Sequence, residues 1–191
     1  MTEERKDDAL WQVTAPQTIL ATPVMNVLTS HVVCKRNGKG RDFYRLSFTP
    51  WVNIVAVTAE QEIIFIRQYR FGTGKSEIEI PGGAVEKNEA PLEAGLRELL
   101  EETGYAGENG RIIGKVCPNP AIQDNFCYTV LVENAVKIAN PSLDEMEDID
   151  VYTVKQKDLA KMMQEGTIDH GLVLNALMFY LMTLPGFYPE G

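Results

Sequence analysis

The run from Gly83 to Tyr105, GAVEKNEAPLEAGLRELLEETGY, limits what this chain can fold into more than any other stretch. Proline has no N–H to leave unpaired, so Pro91 suits the first position of a helix, and Gly104 suits a left-handed stop. The pattern predicts a helix from Pro91 to Thr103. At about 100° per residue, Leu92, Leu96, Leu99 and Thr103 share one stripe, while Glu98, Glu101 and Glu102 share another. One side is expected to be core and the other acid. Ala94 and Gly95 are expected beside the carboxylates on the helix surface, leaving room for a ligand. Like charges at these spacings cost a helix about 0.2–0.5 kcal/mol per pair unless a cation neutralises them. Carboxylate oxygens suit hard cations such as Mg²⁺ or Mn²⁺, which also bridge to phosphates. For the helix alone, a solvated acidic face is the competing reading.

The residues before the helix favour the first reading. Ile78, Ile80, Pro81, Gly82 and Gly83 read as a short strand entering a glycine turn, where backbone carbonyls approach a metal closely. Gly83, Glu89, Arg97, Glu98, Glu101, Glu102 and Gly104 then stand at the spacing G-x5-E-x7-R-E-x2-E-E-x-G, with Leu99 and Tyr105 at its apolar positions. This stretch resembles the Nudix box, with no departure at any fixed position.

Composition removes other classes. A formal net charge of −9 opposes binding to a nucleic-acid polymer, which needs clustered Lys and Arg. Cys34, Cys117 and Cys127 are odd in number and lack metal-ligand spacing, so reduced thiols in a cytoplasmic setting are expected. The most apolar run, Leu172 to Leu184, is interrupted by Asn175 and is shorter than the ~20 residues a bilayer span needs. It reads as a buried helix, and no membrane partner is expected.

Two segments are expected, residues 1–49 and 50–191. Met1 to about Pro16 reads as a frayed end with Trp11 its one large anchor. From Gln17 to Phe48 the chain is rich in β-branched and aromatic residues, with the turn Asn37-Gly38-Lys39-Gly40 making a hairpin. Tyr44, Leu46 and Phe48 alternate with Arg45 and Ser47, which predicts one buried face. About 50 residues of sheet cannot make a sufficient core, so this piece needs the next domain or a second subunit as cover. In the main domain, Trp51–Thr58 reads as a central strand that pairs with Glu62–Arg70. Glu108-Asn109-Gly110 reads as a turn, Arg111–Val116 and Phe126–Val132 as strands, and Cys117–Asn125 as a loop. Asp150–Val154 is a further strand, Lys155–Gln164 an amphipathic helix stopped by Gly166, and Leu172–Leu184 the last helix. A mixed sheet between helices is an α/β fold, a three-layer α/β/α sandwich of Nudix type with a small N-terminal antiparallel β subdomain.

A second acidic cluster, Ser142-Leu143-Asp144-Glu145-Met146-Glu147-Asp148-Ile149-Asp150, reads as a loop leading into a strand. Hydrolysis of a diphosphate needs a water activated near neutral pH, and a loop carboxylate beside the metals can take its proton. A hydrated surface loop is the competing reading. If locally extended, Glu145 and Glu147 point to opposite sides of the chain and do not share a role.

From about Val24 to Leu184 the chain is similar to the ADP-ribose pyrophosphatase, or nucleoside-diphosphate-sugar hydrolase, branch of the Nudix enzymes. The likeness takes in Arg67-Gln68-Tyr69-Arg70, Glu79-Ile80-Pro81-Gly82-Gly83, a downstream Pro118 or Pro120, and Glu145-Met146-Glu147-Asp148-Ile149 before a helix ending at Glu165-Gly166. It implies two or more Mg²⁺ (or Mn²⁺) ions held by Glu98, Glu101, Glu102, Glu147 and the carbonyl of Gly82. At Gly82 many relatives carry alanine, a departure that a backbone ligand tolerates. The resemblance also implies catalytic roles for Glu145, as general base, and Arg97. It gives substrate contacts to Arg70, Arg41 and Glu79, for each of which an internal ion pair is the alternative. Trp51 or Trp11 stacking on a base competes with plain packing. The implied substrate is a small nucleotide sugar and the implied assembly a homodimer. Cleavage of dinucleotides, nucleoside triphosphates or RNA 5′ ends is the alternative activity, and a non-cleaving sensor the alternative class, although a sensor is expected to lose box glutamates.

Overall fold

The computed structural model describes residues 8–187. It separates into two units, the residues up to Thr49 with Cys117–Asn125, and Pro50–Val116 with the residues from Phe126 onward. The Cys117–Asn125 loop, placed in the second segment by sequence, therefore groups with the first unit.

The first unit is an antiparallel sheet of β1 (Trp11–Val13), β2 (Gln17–Ala21), β3 (Asn26–Cys34) and β4 (Gly40–Ser47). β3 is central: β4 pairs along its length, and β1 and β2 share its other edge. The β3–β4 turn closes where Gly38 takes φ 67° and the Cys34 carbonyl accepts the N–H groups of Asn37 and Gly38. The expected frayed end is corrected at Trp11–Val13, a strand in register with Val32–Cys34; its first seven residues lie outside the described residues. The expected buried face of β4 is also corrected, since Tyr44 is 60% exposed and Leu46 and Phe48 are half-buried. Among the described residues of this unit only Cys34 and Asn125 are buried.

The second unit holds β5 (Trp51–Ala56), β6 (Glu62–Arg70), β7 (Lys75–Glu79), β8 (Gly82–Ala84), α1 (Pro91–Thr103), β9 (Tyr105–Val116), β10 (Cys127–Lys137), β11 (Ile149–Lys155), α2 (Leu159–Gln164) and α3 (Gly171–Thr183). One sheet runs β8-β5-β10-β9 and another β11-β6-β7. β5 and β10 are parallel and the other pairs antiparallel, so the architecture is mixed α/β. β5 and β6 do not pair as expected; they meet at a single bridge, Val57 to Ile63, and then diverge into separate ladders.

Strand alternation makes the layers. Val52, Ile54, Ala56, Ile64, Val130 and Val132 pack with Ala94 and Leu99 of α1. Their neighbours Val55, Val57, Ile63, Phe65 and Leu131 pack with Leu159, Val173, Ala176 and Leu177 on the other side. Because successive strand residues point to opposite faces, these continuous apolar runs feed two cores at once, with α1 on one and α2 and α3 on the other.

α1 spans Pro91–Thr103 as the sequence predicts. Ala90 has no side-chain acceptor to offer, and the Glu93 carboxylate instead takes the Ala90 N–H at 3.1 Å. Gly104 ends the helix at φ 73°, its N–H on the Leu100 carbonyl, and a Cβ there would collide with the carbonyl of Ala139. The buried stripe differs from the expected one: Ala94, Gly95, Leu99, Glu102 and Thr103 are buried, whereas Leu96 is exposed. Ala94 and Gly95 are small because the sheet lies against them, not because a ligand does; a Cβ on Gly95 would sit 2.9 Å from a Val130 methyl. Leu99→Ala would cost ~2–5 kcal/mol at such a site. The turn expected at Glu108–Gly110 lies inside β9, where Asn109 takes φ 54° beside register shifts against β10. No helix among the described residues is long and apolar enough to cross a membrane.

Candidate active site

Three segments converge on the acidic side of α1. β8 comes first. Gly82 and Gly83 pair with Asn53 and Val52 of β5, so they form a strand where a glycine turn was expected. Neither has positive φ; glycine is required by close approach. A Cβ on Gly83 would fall on the Glu98 carboxylate, and one on Gly82 would meet the Val52 carbonyl. The Gly82 N–H donates to Glu102 Oε2 at 2.9 Å.

Arg97 is the second organiser. Its Nε and Nη2 grip Glu89 at 2.9 and 3.0 Å, its Nη1 donates to Glu98 Oε1 at 3.0 Å and Glu101 Oε2 at 2.9 Å, and Nη2 also reaches the Ala84 carbonyl at 3.3 Å. One guanidinium thus ties the loop after β8 to two helix carboxylates, as its planar fork allows. These bonds, that to Glu89 first, raise its already high pKa and hold the Glu89 carboxyl below the usual range.

The loop between β10 and β11 is the third segment. It is strapped to the end of α1: Ser142 N–H donates to the Glu101 carbonyl at 2.7 Å, and Ile138 and Ala139 N–H to the Gly104 carbonyl. Where an extended chain was assumed, Asp144–Glu147 forms a turn, with the Glu147 N–H on the Asp144 carbonyl and the Asp144 N–H on Glu147 Oε2 at 3.1 Å. The two loop glutamates still separate. Glu147 acts electrostatically on Glu98, Glu102 and Arg70, whereas Glu145 is exposed and makes no hydrogen bond or ion pair among the described residues.

Burial and mutual repulsion set the charge state. The Glu102 carboxyl, 4% exposed, is pushed up to about 8 by burial, with Glu98 and Glu147 adding and the Gly82 N–H and Arg70 opposing. Burial likewise raises Glu98, against the Arg97 guanidinium, and Glu101 and Glu147 raise it further. Among the described residues no three acidic, His or Cys side chains stand ready around one point to hold a metal ion. Glu98 and Glu101 face Arg97 instead, and Glu102 faces the Gly82 N–H. The donor chemistry nevertheless fits a hard divalent cation: these are oxygen ligands, and neutralisation relieves the buried Glu102 and the half-buried Glu98, which repel each other.

Beside this cluster lies a cavity of about 310 Å³, at the lower end of the range for small-molecule sites, lined by Trp51, Asn53, Arg70, Gly82, Gly83 and His170 among others. Arg70 and the buried Glu79 form a bidentate pair, both contacts 2.7 Å, so the two expected substrate contacts meet each other. Arg41 belongs to the other unit, where its guanidinium lies 4.6 Å from the Phe43 ring centroid. Trp11 is also there, half-exposed at the start of β1. Sequence reasoning missed Asn53, whose Nδ2 is buried without a partner among the described residues, and His170, which caps α3. Only the capping position of His170, just before a glycine and an apolar run, was legible beforehand.

The NUDIX domain profile matches residues 48–170. An ADP-ribose pyrophosphatase of Bacillus subtilis is 33% identical over 129 residues, 67% of this chain and 70% of that one. An ADP-sugar pyrophosphatase of Mus musculus is 27% identical over 183 residues, 93% of this chain and 82% of that one. A crystal structure of an ADP compounds hydrolase shares the fold with a TM-score of 0.81 at 20% identity, covering 92% of this chain and 95% of the other. The box glutamates thus sit, on the helix and at the spacing read from sequence, inside a stretch that matches the family as a whole, and the chain belongs to the Nudix hydrolases.

Proposed function

We propose that the protein hydrolyses the diphosphate bond of a nucleoside diphosphate sugar, ADP-ribose being the first substrate to test. The products are a nucleoside monophosphate and a sugar phosphate. The observation that carries this reading is the close approach of Glu98 to Gly83 and of Glu102 to the Gly82 N–H, beside a cavity lined by those two glycines and Arg70. The names of the Bacillus subtilis and Mus musculus relatives support the substrate class.

Nudix hydrolases generally use divalent metals, and we assign Mg²⁺, or Mn²⁺, to Glu98, Glu101, Glu102, Glu147 and the Gly82 carbonyl. Such ions, when bound, polarise phosphoryl oxygens and acidify water. The chain's own residues do the rest. Arg97 is a positioning residue, its guanidinium tying Glu89 of the loop after β8 to Glu98 and Glu101 on the helix. Were Glu98 and Glu101 to hold a cation, Arg97 would keep its two bonds to Glu89 and with them the loop after β8. Arg70, held by Glu79, meets the negative substrate; Glu79 acts through Arg70. Glu145 has no competing partner among the described residues and takes the proton of the attacking water as the water oxygen bonds to phosphorus and the P–O–P bridge breaks. Arg41 is assigned a substrate contact on the family likeness alone.

For the exposed sheet of the first unit we propose a second copy as cover, giving a homodimer. Three free cysteines, two of them buried, support a cytoplasmic location. The test is ion-exchange chromatography of products from a panel of nucleotide sugars, dinucleotides and triphosphates with Mg²⁺. Release of AMP and ribose 5-phosphate from ADP-ribose is expected; no turnover of any diphosphate would sink the enzymatic reading and leave a sensor.

A further inference from the structure

We propose that His170 is a substrate-binding residue of this cavity, donating its Nε2–H to a non-bridging oxygen of the diphosphate; the assignment rests on the cavity being the nucleotide-sugar site. His170 precedes α3, and its Nδ1 accepts the Val173 N–H at a long 3.4 Å. A ring nitrogen that accepts carries no proton, so the N–H of this imidazole is at Nε2. Among the described residues nothing accepts from it, and the residue lines the same cavity as Arg70 and Gly82.

One strand braces both Arg70 and the residue before His170. Lys75, at the start of β7, reaches Asp169 at 2.7 Å and so anchors the residue before His170; Glu79, at the end of β7, grips Arg70. Arg70 commits Nε and Nη2 to Glu79 and keeps Nη1. A diphosphate arriving beside Glu98 and Glu102 needs donors that no carboxylate already occupies, and Arg70 Nη1 and His170 Nε2–H are such groups. A fixed donor also suits a phosphoryl oxygen, which only accepts, better than a sugar hydroxyl, which does both.

The competing role is capping alone, and two substitutions separate it. Asparagine places its amide near Nδ1, so His170→Asn keeps a good helix cap and loses the cavity donor; glutamine places its N–H near Nε2, so His170→Gln does the reverse. Affinity is measured by calorimetry on the Mg²⁺-loaded full chain, with methylene-bridged ADP-ribose and methylene-bridged ADP as uncleavable probes. His170→Asn should weaken both probes about 10- to 100-fold, as expected for a lost hydrogen bond to a charged group, with an unchanged melting temperature. His170→Gln should recover most of that affinity and melt about 2–4 °C lower. Unchanged affinity in His170→Asn overturns the proposal, as does a parent that fails to bind either probe. A loss confined to the ADP-ribose analogue moves the contact to the sugar and refutes the phosphate assignment. Should the parent bind both probes with the expected losses yet cleave no nucleotide sugar, the proposed activity fails and His170 stands as a diphosphate ligand.

Discussion

Glu102→Gln should make the metal-free protein more stable at pH 8 while abolishing turnover. In the folded chain the Glu102 carboxyl is pushed up to about 8, from an ordinary value of 4.5, by burial first and then by Glu98 and Glu147. A folded value above the unfolded one means that the native state binds the extra proton. The stability this contributes is complete below 4.5 and is lost as the pH rises through about 8. At ~1.36 kcal/mol per pH unit, that interval bounds the loss at about 5 kcal/mol. Because Glu98 and Glu147 share the repulsion, roughly 2–4 kcal/mol should be visible. For a chain of this size that is a fall in melting temperature of roughly 5–15 °C between pH 5 and pH 8. Glutamine keeps an acceptor for the Gly82 N–H and carries no charge, so the variant should melt with a clearly shallower dependence on pH than the parent, the half-buried Glu98 carboxyl keeping the remainder. The assay is calorimetric melting of parent and variant in EDTA at four pH values, repeated with Mg²⁺, which should restore the parent at pH 8 because it binds only the folded state. A parent whose melting ignores pH in EDTA, or a variant with the parent's slope, refutes the reasoning.

Glu145→Gln should lower kcat by about 10²- to 10⁴-fold with little change in KM, and Glu147→Gln should instead raise the Mg²⁺ concentration needed, both read from Mg²⁺ titrations at saturating substrate. If Glu145→Gln stays within a few-fold of the parent, another loop acid such as Asp144, or direct activation by the metals, must replace it. Gly83→Ala should displace the Glu98 carboxylate, on which its Cβ would fall, and cost turnover more than stability; equal losses in both would place the clash in the backbone. Light scattering should report a dimer at micromolar concentration, and a fully active monomer would mean that the open sheet of the first unit needs no second copy.

The legible parts of this protein were those written in local physics. Pro91 and Gly104 marked the two ends of α1, because helix starts and stops act within a few positions. The spacing of Gly83, Glu89, Arg97, Glu98, Glu101 and Glu102 was equally local. What failed was non-local. The acidic stripe misled about Ala94 and Gly95, because the same small residues serve a ligand face or a close-packed sheet, and only Val130 on β10 decides between them. Adjacent runs such as β5 and β6 invite pairing, yet β5 gains its neighbours from β8 and β10, the latter more than seventy residues on.

By itself, then, the sequence determined the helix, its carboxylates and the chemistry they suit, since charge, glycine and spacing are properties of the chain. Tertiary structure decided how those groups are used. It buries Glu102 against Gly82 and so changes its acidity, gives Glu98 and Glu101 a common partner in Arg97, and closes Arg70 on Glu79. It also carries His170, from the far end of the chain, to the wall of the cavity. Desolvation and competition among partners depend on which segments meet, and no local pattern contains that information.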